Sequence, residues 1–335
     1  MTEPQRERVL SGTRPTGRLH LGHLHGALLN WVSLQQQYDC FFFVADWHAL
    51  TSEYETSGVI AANVRELVAD WLGAGLDPER ATLFVQSKVK EHAELFLILG
   101  MITPLGWLER NPTYKEMQEN LTAKDLSTFG FLGYPVLQAS DILAYRAHHV
   151  PVGVDQLPHL EITREIARRF NFLFRNTFPE PQALLTKSSK VAGTDGRKMS
   201  KSYGNTLDLA DTPDTLRAKV KTMFTDPQRK RRNDPGDPEV CPVYQLHRLY
   251  HPDAERVAEI GADCRAAKIG CVDCKKEMVE HLITGTEAVR ERRAAALARP
   301  GYIEDVLDHG NLRARAIASH TLDAVRAAVG LPTEP

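Results

Sequence analysis

The chain has 335 residues, 41 Lys and Arg against 43 Asp and Glu, and a formal net charge of −2. That length exceeds one average domain and can bury a substantial core, while the balanced charge excludes a nucleic-acid partner held by a globally basic surface. The longest apolar runs, Cys40 to Ala45 and Leu95 to Ile102, are too short to span a membrane, and the polar segment Met1 to Arg8 has no signal-type apolar stretch behind it, so a cytoplasmic protein with no membrane partner is expected.

Arg8 to Ser11 reads as a short strand, Gly12 to Gly17 as turn residues, and His20 to Gln37 as a helix by its apolar spacing. Phe41-Phe42-Phe43-Val44 is a continuous apolar run of the kind found where both faces of a sheet are covered. Ser57 to Gly73 returns to helical period, and Thr82 to Val85 repeats the strand signal. This alternation predicts an α/β fold, the first half of a parallel, Rossmann-like nucleotide-binding sheet with right-handed crossovers. No G-x-G-x-x-G follows a strand, which removes the main support for a dinucleotide-dependent dehydrogenase. Polarity rises between about 100 and 134, where Asn111-Pro112-Thr113 breaks the pattern and an insertion is expected. The sheet resumes near His149 to Val154, and Asp155 stands at the start of a helix whose apolar face carries Leu160, Ile162, Ile166, Ala167 and Phe170. Beyond about 206 the pattern is helical alone, opening on Thr212-Pro213-Asp214, a capping hydroxyl with proline in the first turn. The expected organisation is a sheet domain over 1–206 and an all-helical domain over 207–335.

Two short motifs carry chemistry. His20-Leu21-Gly22-His23 places two imidazoles three residues apart at a helix start, where ring N–H groups and the positive helix end can meet phosphate oxygens. Gly22 permits close backbone approach, and Arg14 in the preceding turn can add a phosphate contact. Lys198-Met199-Ser200-Lys201-Ser202 follows Gly193-Thr194-Asp195-Gly196, a composition suited to a mobile loop whose two ammonium groups could close on a triphosphate. Each motif taken singly has a bland reading, as a histidine-bearing helix or a solvated basic turn.

Together, in this order and at this separation, they resemble the two signatures of class I aminoacyl-tRNA synthetases, and within that class the tryptophanyl-tRNA synthetase family. The resemblance extends to Ser11 through Gly17, Asp46-Trp47-His48-Ala49-Leu50-Thr51, Tyr134 through Leu143, and Val152 through Asn171. It implies a class I synthetase sheet domain with an insertion, a helical tRNA-binding domain, and a homodimer formed through the insertion. It implies catalytic roles for His20, His23, Lys198 and Lys201, and an ATP site that adds Arg14, Gly22, Gly153, Val154, Asp155, Val191, Met199, Ser200 and Ser202. Magnesium would accompany ATP. An indole offers one N–H donor and no acceptor, so its pocket needs an apolar box ending in one acceptor. Asp141 fills that role by resemblance, with Tyr134, Gln138 and Gln156 as neighbours. Gln138 departs from the methionine of the bacterial pattern and is closer to the glutamine of tyrosyl enzymes, which keeps a tyrosyl-type synthetase open as an alternative. A nucleotidyltransferase of the same fold is the second alternative, and a non-catalytic nucleotide- or RNA-binding paralogue the third. The expected partners are tRNA(Trp), L-tryptophan and ATP.

Cys241, Cys264, Cys271 and Cys274 are separated by 22, six and two residues, and a C-x-x-C pair is a compact chelate for a tetrahedral centre. Their spacing resembles that of bacterial tryptophanyl enzymes carrying a four-iron, [4Fe-4S] cluster, with zinc as the competing metal. Arg229-Lys230-Arg231-Arg232 and the Lys275-Lys276 pair are candidate phosphate contacts for tRNA or plain solvated charges.

Overall fold

A computed structural model describes residues 6–111, 127–185 and 191–332, apart from the side chain of Asp155. Five parallel strands form one sheet in the order β3-β2-β1-β4-β5: β1 Arg8–Thr13, β2 Asp39–Val44, β3 Ala81–Val85, β4 His149–Val152 and β5 Gln182–Leu185. In β2 the residues from Cys40 to Val44 are all buried, because helices cover both faces, so the strand needs no polar alternation. Leu10 lies opposite Phe41 and Gly12 opposite Phe43, and β1, paired with β2 on one side and β4 on the other, is the central strand.

The first crossover begins with α1 Leu21–His23, widens into a π-turn at Leu24–Leu28, and continues as α2 Leu29–Leu34. A regular helix was the expectation here. Single π-turns of this kind concentrate at functional sites. Helix α3, Asp46–Glu53, leads to α4, Ile60–Ala74, which ends on Gly75 in the left-handed conformation, φ +109°. After β3 come α5 Glu91–Ile102 and α6 Leu105–Glu109, then α7 Phe129–Ala144, capped by the Thr128 side chain, which accepts from the Phe131 N–H. Of the expected insertion, residues 112–126 lie outside the described residues, and its last part, from Phe129, already belongs to α7. That helix runs on through Pro135 and carries Asp141. Helix α8, Leu157–Leu173, buries Leu160, Ile166, Ala167 and Phe170 as its spacing predicts. Strand β5 has no counterpart in the sequence reading, since Gln182-Ala183-Leu184-Leu185 is short and only partly covered.

Beyond residue 206 the described residues form helices: α9 Pro213–Lys221, α10 Pro242–Tyr250, α11 Ala254–Arg265, α12 Cys271–Gly285, α13 Glu287–Ala298 and the 28-residue α14 Tyr302–Val329. Thr212 caps α9 by accepting from the Thr215 N–H at 3.2 Å, with Pro213 in the first turn. The last two helices return to the sheet. Helix α13 packs on α4, and α14 covers the edge strand β3, where Asn311 accepts the Val85 N–H at 2.9 Å. The approach there is backbone to backbone: a Cβ on Gly310 would sit 1.8 Å from the Leu83 carbonyl oxygen, so only glycine fits. An edge that could otherwise pair with another chain is thereby closed. No helix among the described residues is long and apolar enough to cross a membrane.

Candidate active site

The C-terminal ends of β1, β2 and β4 open into a cavity of about 460 Å³, at the point where strand order reverses on either side of β1. That is where open α/β sheets bind ligands. Arg14, Tyr134, Gln138, Asp141, Gly153 and Gln156, all singled out from the sequence, line it. The phosphate motifs form a neighbouring cluster, joined to the cavity by the π-turn, whose Gly26 and Ala27 are wall residues.

Chain pairing explains how two motifs far apart in sequence come together. The Leu21 N–H donates to the Leu207 carbonyl at 3.0 Å and the Leu209 N–H to the Leu19 carbonyl at 2.9 Å. This antiparallel bridge pins the segment after the lysine motif against the start of the histidine motif. Asp70, fully buried on α4, accepts the Leu19 N–H at 2.9 Å and the Arg293 guanidinium of α13 at 2.7 Å, so the residue before His20 is anchored to the C-terminal helices as well.

The two imidazoles are oriented by their own backbone. His20 Nδ1 accepts the Gly22 N–H at 3.1 Å, and His23 Nδ1 accepts the His20 N–H at 3.2 Å. A neutral ring whose Nδ1 accepts carries its proton on Nε2. Both rings stay neutral, because burial pushes His20 down to about 4 and His23 to about 3, with the Lys201 charge acting in the same direction and each ring only 3.8 Å from the other. Each therefore presents an Nε2–H donor without a charge of its own. A Cβ on Gly22 would stand 2.9 Å from the His20 ring, so the tight approach at this glycine is made by the motif's own imidazole.

The lysine motif is a pinned hairpin. Ala192 bridges Lys198, Met199 donates its N–H to the Val191 carbonyl at 3.1 Å, and the buried Asn205 side chain accepts from Ser200 N–H while donating to Asp195 and to the Lys198 carbonyl. The composition suggested mobility, and Asn205 supplies the restraint that composition does not reveal. Met199 and Val191 are buried in the core, whereas Lys198 and Ser202 are exposed. Lys201 donates to the Gly17 carbonyl at 2.8 Å, and burial lowers its ammonium to about 8 in spite of Asp70 and Asp208. Val154 is exposed, and only the backbone of Asp155, in the turn Val154–Gln156, is described.

Asp141 is 1% exposed and, among the described residues, has no lysine or arginine partner. His48 Nε2 stands 2.7 Å from Oδ2, His92 Nδ1 2.6 Å from Oδ1, and the Gln86 amide donates to both oxygens at 2.8 and 3.0 Å. Burial pushes this carboxyl upward, but the hydrogen bonds from His48 and His92 outweigh it, so it lies below the ordinary aspartate value and stays ionised. Tyr134, with its hydroxyl 3.1 Å from the His159 ring, forms part of the cavity wall, and its phenol is pushed up by burial. Gln86, His92 and Tyr145 carry no signal in the sequence beyond being polar groups in apolar surroundings, and His48 is present only inside a quoted block.

The four cysteines of the helical region line one small cavity, walled by Val243, Tyr244, Ile260 and Ile269. Cys274 is pushed up to about 12, first by burial and then by Cys241, Cys264 and Cys271. Among the described residues the group of three candidate ligand atoms within 4.8 Å of one another is His251, Glu277 and His281, so no three of these sulfurs come that close. That triad is committed elsewhere: the Asp253 N–H occupies His251 Nδ1, and Arg256 takes both Glu277 oxygens. Arg229 turns inward, donating to the carbonyls of Arg232 and Ile269 and lying 3.8 Å from the Cys264 sulfur, while Lys230, Arg231 and Arg232 are exposed. Lys275 donates to the Lys221 and Met223 carbonyls, and Lys276 is exposed.

A parallel sheet with paired histidine and lysine motifs beside a cavity at its switch point defines the class of protein: residues 2–285 match the family described as tRNA synthetases class I (W and Y), and the chain belongs to it. The particular relatives are tryptophan–tRNA ligases. That of Aquifex aeolicus is 46% identical, covering 97% of this chain and 100% of its own length, and that of Thermotoga maritima is 50% identical over 97% and 99%. The crystal structure of tryptophanyl-tRNA synthetase from Campylobacter jejuni, complexed with ADP and tryptophan, matches with a TM-score of 0.87 at 34% identity, covering 97% of this chain and 100% of that one.

Proposed function

We propose that this protein is a tryptophan–tRNA ligase: the tryptophan carboxylate attacks the α-phosphorus of magnesium-bound ATP, pyrophosphate departs, and the acyl group of tryptophanyl-adenylate passes to the terminal ribose hydroxyl of tRNA(Trp) with release of AMP. The observation that carries this is the junction of a cavity bordered by the ionised Asp141 with both phosphate motifs, which the pairing of Leu19 and Leu21 with Leu209 and Leu207 brings together beside it. Activation of a carboxylate needs positioning and charge stabilisation more than a protein nucleophile. His20 and His23 supply neutral N–H donors for phosphate oxygens, and Lys198 and Lys201 supply positive charge for departing pyrophosphate. Arg14, Gly153, Val154, Asp155 and Val191 complete the nucleotide site, with Gly22, Met199, Ser200 and Ser202 shaping the two motifs. Asp141 accepts the indole N–H, while Tyr134, Gln138 and Gln156 border the amino acid. A tyrosyl substrate would also find an acceptor in Asp141. Tryptophan is favoured by the relatives, which are tryptophan–tRNA ligases over nearly the whole chain. ATP–pyrophosphate exchange measured with each amino acid in turn tests this: tryptophan should drive it, and exchange driven by tyrosine alone would overturn the assignment.

The helical region from about 207 is read as the tRNA-binding part, and the chain as a cytoplasmic homodimer. Exposed Leu97, Met101, Leu105 and Phe129, on or beside the predicted insertion, support a subunit contact there. Cys241, Cys264, Cys271 and Cys274 would hold a [4Fe-4S] cluster. All four sulfurs border one cavity, and their spread exceeds the S–S distance of about 3.8 Å that a tetrahedral zinc site with bonds of about 2.3 Å requires. Such a group would brace the helical region. Anaerobically purified protein should be brown and contain iron, and a colourless preparation holding one zinc per chain would remove the cluster.

A further inference from the structure

Behind the cavity wall lies a buried chain of polar groups that neither phosphate motif uses. It joins four elements: His48 of α3, Gln86 at the end of β3, His92 of α5, and Asp141 with Tyr145 at the end of α7. Gln86, His92 and Tyr145 have no exposed surface. Phe41, Phe43 and Phe84 wall the group, with ring centroids 5.2 to 6.2 Å from Tyr145 or His92. A polar network in such surroundings is costly unless every member is satisfied, and strongly orienting when it is.

Its hydrogen-bond directions follow from one boundary condition. The Gln86 carbonyl oxygen accepts the Trp47 N–H at 3.1 Å, so its amide nitrogen must face Asp141. Asp141, ionised, only accepts, so His92 must carry its proton on Nδ1. In the neutral imidazole Nε2 is then an acceptor, and the Tyr145 hydroxyl, 2.7 Å away, donates to it. Asp141 thus fixes the tautomer of His92, Tyr145 holds the far nitrogen of the ring, and His92 clamps one oxygen of Asp141. Oδ1 is filled by His92 and the shorter Gln86 contact, whereas Oδ2 holds His48 and only the longer one. Since His48 and Asp141 line the cavity and His92 and Gln86 do not, Oδ2 is the oxygen with acceptor capacity left toward the ligand.

We propose that His92 and Tyr145 are positioning residues for substrate selection: they hold Asp141 so that the pocket accepts one ring N–H donor and penalises a ring of the same shape that lacks it. The proposal rests on the reading of Asp141 as the acceptor for indole. A site built to accept a substrate N–H rejects an isostere without it far more strongly than an apolar pocket rejects a missing methylene.

The experiment compares tryptophan with 3-benzothienylalanine, in which sulfur replaces the ring N–H, by kcat/KM in ATP–pyrophosphate exchange with the full-length protein. The unmodified enzyme should prefer tryptophan by about 100-fold or more. In His92→Leu that preference should fall to about tenfold or less, through a raised KM for tryptophan and little change for the analogue. His92→Asn, which keeps an N–H donor at the Nδ1 position, should recover most of it, and Tyr145→Phe should lie between. Should His92→Leu not fold, Tyr145→Phe and His92→Asn still decide the matter by their order. Equal losses on both substrates, or full discrimination retained in Tyr145→Phe and His92→Leu, would overturn the positioning role while leaving the Asp141 reading intact. No discrimination in the unmodified enzyme would sink the Asp141 reading, and the proposal with it.

Discussion

The link between the C-terminal helices and the histidine motif can be tested at Arg293. This guanidinium donates to Asp70 at 2.7 Å and also contacts Glu66, and Asp70 in turn accepts the N–H of Leu19, next to His20. Asp70 has no exposed surface, so in Arg293→Met its carboxylate keeps only one backbone donor. Removing one member of a buried pair costs about 3–5 kcal/mol, which in a protein of this size lowers Tm by roughly 4–7 °C. The double variant Asp70→Asn, Arg293→Met removes the stranded charge and should recover more than half of that loss. The pH dependence has a definite sign. Burial already holds Asp70 above the ordinary carboxyl value, against the hydrogen bonds from Leu19 and Arg293. A carboxyl raised in the folded state binds protons better folded than unfolded, so its contribution is complete at low pH and lost as pH rises through the folded value. Loss of Arg293 raises it further, and the deficit of the single variant should therefore shrink as pH falls from 7 toward 5. Thermal unfolding followed by circular dichroism across that range is the assay. A Tm within about 2 °C of the parent at pH 7, or a deficit that grows on acidification, would show that Arg293 does not hold a buried carboxylate at Asp70.

Three further outcomes follow from the same geometry. Lys201, lowered to about 8, should bind ATP well while charged, so ATP affinity measured by calorimetry should weaken between pH 7 and 9 and become nearly flat in Lys201→Arg. Asp141→Asn sets an amide N–H₂ against the donors His48, His92 and Gln86, and should reduce kcat/KM for tryptophan by about 10² to 10³, against a small change in KM for ATP. Gly310→Val forces a side chain into the Leu83 backbone and should destabilise by about 3 kcal/mol or more, seen as a shift in urea midpoint with the neighbouring Asn311→Ala variant as a milder comparison.

What the sequence made legible was local. The parallel strands through Phe41 to Val44 and Thr82 to Val85, the α8 face from Leu160 to Phe170, and the cap at Thr212 depend on neighbours within a few residues, so period and capping chemistry expose them. The two phosphate motifs were equally plain, but their meeting depends on Leu19 and Leu21 pairing with residues nearly two hundred positions away, which no local pattern encodes. Helix α7 was partly hidden because Gly130, Gly133 and Pro135 look like breakers, although tertiary packing keeps the segment helical. The pocket residues Tyr134, Gln138, Asp141 and Gln156 were found through resemblance, whereas Gln86, His92 and Tyr145 were not. Their role exists only where four separate elements converge on one carboxylate.

This carboxylate-ended cavity and the paired motifs beside it make tryptophanyl-tRNA. The most direct measurement is aminoacylation by the purified full-length protein, with tRNA(Trp) and tRNA(Tyr) transcripts offered both labelled amino acids. Charging of tRNA(Trp) with tryptophan, abolished to background in Asp141→Asn, is the predicted result. Charging of tRNA(Tyr) with tyrosine, or tryptophan transfer that Asp141→Asn leaves unchanged, would contradict it.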